Sequence, residues 1–218
     1  MPDHYYTQNP QSEHKPASFA VRYRNHTLLF ETDSGVFSRL SMDRGTQELL
    51  DALPDAVAGR VLDLGCGYGA LGVSLARACP GCTLTMVDIN ERAVVLAAGN
   101  ARQNGVAAET LQSDGFSALA GRTFDLIVTN PPIRAGKAAL HRLFTDSARA
   151  LAPEGAMVTV IRKQQGAASA LTFLGTLFGR VETVARKGGY WVIRCTLPAP
   201  RGDADGNHEQ KAMEQHDV

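Results

Sequence analysis

From Arg60 onward the chain repeats one pattern, a short strand-like run, a polar or glycine-bearing break, and a stretch of helical length. The runs are Val61-Leu62-Asp63-Leu64, Leu84-Thr85-Met86-Val87, Glu109-Thr110-Leu111-Gln112, Phe124 to Val128 and Met157 to Ile161. The helical stretches are Leu71 to Ala78, Glu91 to Gln103, Ala138 to Leu151 and Ala170 to Phe178. A helix between two strands returns the chain to the edge it started from, so the alternation predicts a parallel sheet covered by helices. Leu140, Leu143, Phe144, Ala148 and Leu151 share one face of the third helix, which Pro153-Glu154-Gly155 is expected to end. The close is different. Val181 to Ala185 and Tyr190 to Arg194 are joined through Lys187-Gly188-Gly189, too short for a crossover, so the last strand must run antiparallel.

Ahead of this pattern, Phe19, Val21 and Tyr23 alternate with Ala20, Arg22 and Arg24, and Asn25-His26 precedes Thr27 to Phe30. That predicts a hairpin with a basic exposed face. After Asp33-Ser34-Gly35, the stretch Thr46 to Leu50 reads as a capped helix that stops at Pro54. The expected organisation is a lid-like N-terminal appendage over residues 1–57, an α/β domain over 58–197 and a disordered tail over 198–218. Arg201 to Val218 holds two basic and five acidic residues and almost nothing apolar, too little to offset its ordering entropy. The chain as a whole balances 22 basic against 22 acidic side chains, which excludes a broadly basic coat for nucleic acid but leaves the body ahead of the tail at +3. No apolar run is long enough to span a bilayer and the polar N-terminus lacks a signal pattern, so a cytoplasmic location with no membrane partner is expected. Cysteines at 66, 79, 82 and 195 are too few and too irregular for a disulfide framework.

The first strand runs into Asp63-Leu64-Gly65-Cys66-Gly67-Tyr68-Gly69-Ala70 and opens a helix, a setting in which glycines let the backbone turn tightly and approach a nucleotide. Gly65, Gly67 and Ala70 also satisfy a loose dinucleotide-binding pattern, and a glycine-rich turn without a ligand is the plain structural alternative. Asp63 bears on that choice. A carboxylate two residues before the first glycine would repel a pyrophosphate but suits a ligand carrying an ammonium and a sulfonium. Asp88, at the end of the next strand and 23 residues after Gly65, stands where an acceptor for ribose hydroxyls is expected; Asn90 is better placed to cap the following helix. Asp114 puts a third acid at the same sheet edge, where it can accept from an adenine amino group.

The fourth strand ends in Thr129-Asn130-Pro131-Pro132-Ile133. Two prolines restrict the backbone and have no donors, which holds the Asn130 side chain and the Pro131 carbonyl as fixed acceptors. An exocyclic amine on a base is a poor nucleophile because its lone pair is delocalised into the ring. Accepting from both of its N–H groups favours a pyramidal nitrogen and frees that pair. A rigid turn without chemistry is the alternative.

Together, Asp63 to Gly69, Asp88, Asp114 and Asn130-Pro131-Pro132-Ile133 resemble a class I S-adenosylmethionine-dependent methyltransferase, and the fold this implies is a Rossmann-like, seven-stranded, mostly parallel sheet. More narrowly, His4-Tyr5-Tyr6, Thr32 to Ser38, Asp43-Arg44-Gly45-Thr46 and Thr129 to Lys137 resemble the small-domain family that contains the guanine-N2 methyltransferases of small-subunit ribosomal RNA. The resemblance implies that Asp63, Gly65, Cys66, Gly67 and Gly69 contact the methionine half of S-adenosylmethionine, Asp88 the ribose and Asp114 the adenine. It implies that Asn130 and Pro131 accept from the target amine, that Asn130 also borders the cofactor, and that Phe37 to Thr46 covers the pocket. Pro132, Ile133, Arg134 and Lys137 would meet the substrate, small-subunit ribosomal RNA or its assembly intermediate. Members acting on bases usually carry an aromatic ring after the second proline, where this chain has Ile133, and the better-known ribosomal members carry a second, degenerate half that this chain is too short to include.

Arg134 and Lys137, with Arg22, Arg24, Arg162 and Lys163, could neutralise phosphates around the pocket, or be solvated surface charge. Cys79-Pro80-Gly81-Cys82 lacks a second pair of zinc ligands and reads as a turn, and no metal is implied. Two alternatives keep the same motifs: methylation of a protein glutamine amide, and a non-catalytic module that binds cofactor and RNA during assembly. A nicotinamide oxidoreductase would leave Asn130-Pro131-Pro132 without a role.

Overall fold

The computed structural model describes residues 12–197. The expected tail over 198–218 and the His4-Tyr5-Tyr6 segment lie outside them. β1 (Ala17–Tyr23) and β2 (His26–Thr32) pair antiparallel from Ala17↔Thr32 to Tyr23↔His26 as a separate two-stranded sheet. Alternation turns Tyr23, Leu28 and Phe30 inward. The outer face is not basic. It carries Ser18, Ala20, Arg22, Thr27, Leu29 and Glu31, because Arg24 leaves the alternation at a left-handed turn (φ 48°) and folds back to donate to the carbonyls of Pro54 at 2.7 Å and Asp55 at 2.6 Å. α1 (Arg44–Ala52) starts at the Asp43 cap and ends before Pro54, where Leu53 is already extended, as a residue preceding proline must be.

The main sheet comprises β3 (Gly59–Leu64), β4 (Cys82–Asp88), β5 (Ala108–Gln112), β6 (Phe124–Thr129), β7 (Leu151–Arg162), β8 (Arg180–Lys187) and β9 (Tyr190–Thr196), in the order β5-β4-β3-β6-β7-β9-β8. β3 to β7 are parallel, and β9 runs antiparallel to both β7 and β8. This is the expected seven-stranded α/β sheet. The helices are α2 (Ala70–Ala78), α3 (Glu91–Gln103), α4 (Lys137–Arg149) and α5 (Ala167–Leu174). Adjacent strand residues point to opposite faces, which splits the core: Val61, Leu84 and Val128 pack with Leu28, Phe30 and Leu49, whereas Leu62, Ile127 and Met157 pack with Phe144 and Leu174. The hairpin and α1 are thus continuous with one half of the core.

Two helices, α4 and α5, have ends that differ from expectation. α4 ends at Arg149 and Leu151 begins β7, because Phe124 donates to Ala150 and pairs with Leu151 before the register slips to Leu126↔Ala156. The slip absorbs Pro153-Glu154-Gly155, so that cluster marks a bulge in a strand and not a helix end. α5 starts at Ala167 and ends at Leu174, and Phe178 reaches the core from a turn in which its N–H meets the Leu174 carbonyl at 3.0 Å.

Candidate active site

From β3 the chain moves outward through β4 to β5, then returns to place β6 on the other side of β3. The loops after β3 and β6 therefore diverge and leave a crevice at the carboxyl ends of the strands, the place where open α/β sheets bind ligands. A cavity of about 240 Å³ lies there. Asp63, Gly65, Cys66, Gly67, Asp88, Asp114, Asn130, Pro131 and Pro132 all line it.

On one side stands the glycine loop. The N–H groups of Gly65 and Cys66 both donate to the Val87 carbonyl at 2.9 Å. The Asp88 carboxylate accepts from Gly67 N at 2.8 Å and Asn90 N at 2.9 Å, which ties the loop to the β4–α3 turn, and Asn90 caps α3 as expected. Gly65 (φ 73°) and Gly67 (φ 55°) need the left-handed region, and a Cβ on either would meet nothing within 4 Å. The bare backbone forms a cradle in which a ligand can lie directly against the chain. Gly69 is different: a Cβ there would come within 3.2 Å of Ala97 and 3.3 Å of the Met86 sulfur. It serves the close approach of helix and strand and is absent from the cavity wall.

Asp63 is buried, and its Oδ2 accepts from Gly72 N in the first turn of α2 at 2.7 Å. Burial, reinforced by the Asp88 charge and opposed by the Gly72 N–H, pushes its carboxyl up to about 7. Burial also raises the Asp88 carboxyl, against the N–H groups of Asn90, Gly67 and Ile89, and it lifts the Cys66 thiol well above its usual range. Asp114 is exposed and faces Arg142 of α4 at 3.3 Å.

On the other side stands the end of β6. Thr129 Oγ1 donates to the Leu64 carbonyl at 2.7 Å, which sets the spacing between the two strand ends. Asn130 Nδ2 donates to Asp43 Oδ2 at 2.9 Å and to Thr46 Oγ1 at 3.1 Å. The Pro132 carbonyl is taken by Ala135 N at 2.9 Å, whereas no backbone hydrogen bond among the described residues uses the carbonyl of Pro131.

Three residues expected at the substrate do not reach the cavity wall. Ile133 packs against the core beneath α4, and Arg134 and Lys137 are exposed outside it. Arg22 and Arg24 lie apart from the site: Arg24 is held by the segment that precedes β3, at the amino ends of the strands. Arg162 and Lys163 are exposed at the carboxyl end of β7. The loop before α1 contributes Phe37, Ser38 and Asp43 to the wall and the first turn of α1 adds Thr46, and Asn90 Nδ2 fixes that loop through the Gly35 carbonyl at 2.8 Å. The contact of Asp43 with Asn130 spans 87 residues and had no local signal; only the cap pattern and the odd placing of Gly45 within a helix mark the spot. Among the described residues no group of three or more His, Cys, Asp or Glu is arranged to hold a metal, and no helix is long and apolar enough to cross a membrane.

The methyltransferase small domain family matches residues 27–194. The uncharacterized protein YbxB of Bacillus subtilis is 44% identical over 198 residues, which cover 89% of this chain and 98% of that one. Ribosomal RNA small subunit methyltransferase C of Escherichia coli is 40% identical over 126 residues, 58% of this chain and 36% of that protein. The solved 16S rRNA N2 methyltransferase of T. thermophilus, in complex with AdoMet and guanosine, superimposes with a TM-score of 0.77 at 30% identity, over 87% of this chain and 52% of that chain. The chain thus spans nearly all of the Bacillus relative but about a third of the Escherichia protein and half of the Thermus one.

Proposed function

The chain belongs to the methyltransferase small domain family and is an S-adenosylmethionine-dependent methyltransferase, and from that premise we propose that it methylates the exocyclic N2 amine of a guanine in small-subunit ribosomal RNA. The observation that carries the reading is the pair of acceptors at the end of β6, the Asn130 amide oxygen and the Pro131 carbonyl, pinned to the glycine-loop strand through Thr129 and Leu64. The relatives named for ribosomal RNA methylation support the substrate class.

The cradle fits the cofactor by its donor set: the backbone of Gly65 and Gly67 leaves room for it, Asp63 answers an ammonium, Asp88 ribose hydroxyls and Asp114 an adenine amine. When bound, S-adenosylmethionine supplies a methyl group made electrophilic by its sulfonium. The chain's own part is orientation. Asn130 Oδ1 and the Pro131 carbonyl each accept one N–H of the target amine, so its lone pair faces the cradle along the line of transfer. Neither acceptor is a base, so the proton shed by the methylated nitrogen goes to water.

The RNA backbone would cross the basic shelf beside this site. Lys163 N donates to the Gly189 carbonyl at 2.8 Å, which brings Arg162 and Lys163 against the β8–β9 turn and its neighbours Arg186, Lys187 and Arg44, all exposed. Glu48 and Asp51 offset part of that charge through Lys187 and Arg44. The test is to incubate the protein with radiolabelled S-adenosylmethionine and small ribosomal subunits, or their RNA, from a strain lacking the gene, and to identify the labelled nucleoside. Label in N2-methylguanosine that vanishes with Asn130→Ala is the expected result. Label entering a protein glutamine amide instead would overturn the RNA reading while keeping the acceptor chemistry.

A further inference from the structure

We propose that Asp43 is a positioning residue that sets which end of the Asn130 amide faces the reacting amine. The inference rests on the reading of Asn130 as an acceptor for that amine. An asparagine amide is nearly symmetric in shape but opposite in function at its two ends: the oxygen only accepts and the nitrogen only donates. Rotated by a half turn, Asn130 would present N–H to the N–H of its substrate and repel it. Something must break the symmetry, and the two contacts of Nδ2 are not equal in this respect. Thr46 Oγ1, at 3.1 Å, is a hydroxyl that can donate or accept and is satisfied by either end. Asp43 Oδ2, at 2.9 Å, is a carboxylate oxygen and accepts only. A rotated amide would set two oxygens against each other at that distance. Asp43 therefore turns Nδ2 toward α1 and leaves Oδ1 for the cavity side.

The carboxylate is itself fixed. The same Oδ2 accepts from Thr46 N at 3.2 Å as the cap of α1. Gly45, buried in the first turn of that helix, is a residue type that weakens helices. Its backbone is covered so closely that a Cβ would stand 2.8 Å from Asp43 Oδ2 and 3.1 Å from the Tyr190 ring. The missing side chain is thus the space the carboxylate occupies. Capping alone does not require this arrangement, since serine or asparagine caps a helix as well as aspartate does.

That equivalence provides the test. Asp43→Ser keeps a capping hydroxyl but is too short to reach Asn130, and Gly45→Ala removes no polar group but displaces the carboxylate. In both, kcat for methyl transfer from tritiated S-adenosylmethionine to small ribosomal subunits is expected to fall about a hundredfold, as for a reacting group misplaced by about an ångström. The dissociation constant for S-adenosylmethionine and the melting temperature of Asp43→Ser stay close to wild type. Asp43→Asn, which can offer either an oxygen or a nitrogen, falls between. A second readout needs no substrate: the side-chain amide protons of Asn130, identified in a ¹⁵N-labelled sample by their loss in Asn130→Ala, exchange slowly in the wild type and rapidly in Asp43→Ser. An Asp43→Ser protein with full kcat, or with unchanged Asn130 amide protons, overturns the proposal. If Asn130→Ala retains its rate, it is the assignment of Asn130 that falls; if Asn130→Ala is inactive and Asp43→Ser is not, only the role given to Asp43 is lost.

Discussion

The two walls of the cavity are built by different means. The glycine-loop wall is made almost wholly from consecutive strand-to-helix turns: Asp63, Gly65, Gly67 and Asp88 lie within 26 residues and are joined by backbone N–H groups of the same two turns. The opposite wall takes Asn130 from the end of β6 and completes it with Asp43 and Thr46 from the other end of the chain. The first is a local device that can be moved from fold to fold; the second exists only once α1 has docked on the sheet. The difference predicts a division of labour, with the first wall governing whether the cofactor is held and the second whether the methyl group moves.

Substitutions that separate binding from turnover break or sharpen this division. Asn130→Ala should lower kcat by about 10²- to 10³-fold, the usual cost of removing one transition-state hydrogen-bonding group, while cofactor affinity changes little. Calorimetry beside single-turnover rates decides, and a loss of affinity matching the loss of rate would merge the two walls into one. Asp88→Ala should do the reverse. It removes the proposed ribose acceptor and strands the Gly67 and Asn90 N–H groups, so affinity should fall by roughly 10- to 100-fold with turnover largely kept at saturating cofactor.

A pH effect comes next, and it belongs to the first wall alone. With its carboxyl near 7, Asp63 is mostly protonated in the free protein at pH 6 and mostly ionised at pH 8, so binding of a cationic ligand beside it should tighten about tenfold over that interval. Asp63→Asn should flatten the profile. The same shift has a signed consequence for stability. Between about pH 4 and 7 the folded state keeps a proton that the unfolded state releases, so this group's contribution to stability is largest below 4, declines as pH rises to about 7 and is constant beyond. Denaturant titrations of wild type and Asp63→Asn at pH 5 and 8 measure it. The smallest effect concerns the shelf: reversing Arg162 and Lys163 to glutamate should weaken RNA binding several-fold and reduce the salt slope by about 1 to 2, whereas Arg22→Glu, on the hairpin, should leave both unchanged.

Legibility in the sequence follows the same division. Strand-helix alternation, the short Gly188-Gly189 turn and the three strand-end acids are local patterns, so the parallel sheet, its antiparallel last strand and the crevice could be read directly. The harder positions are those where one signal has two physical meanings. Pro153-Glu154-Gly155 stops a helix or bulges a strand, and pairing of Phe124 with Leu151 chose the latter. Gly69 closes the glycine loop, where its φ of 89° and the nearness of Ala97 and Met86 give it a packing role. Arg24 continues an alternating pattern on paper but stands in a turn, where its guanidinium finds two carbonyls.

By itself the sequence determined the class of fold and the chemical kinds present at the sheet edge, because strand and helix periods and the backbone freedom of glycine and proline act over a few residues. Only the tertiary structure decided which of those groups face one another: that Thr129 bonds Leu64 across two strands, that Ile133 packs against the core, and that the aspartate capping α1 holds the amide of Asn130. The reason is geometric. A hydrogen bond depends on ångström distances between atoms whose separation along the chain carries no information about them until the core has packed.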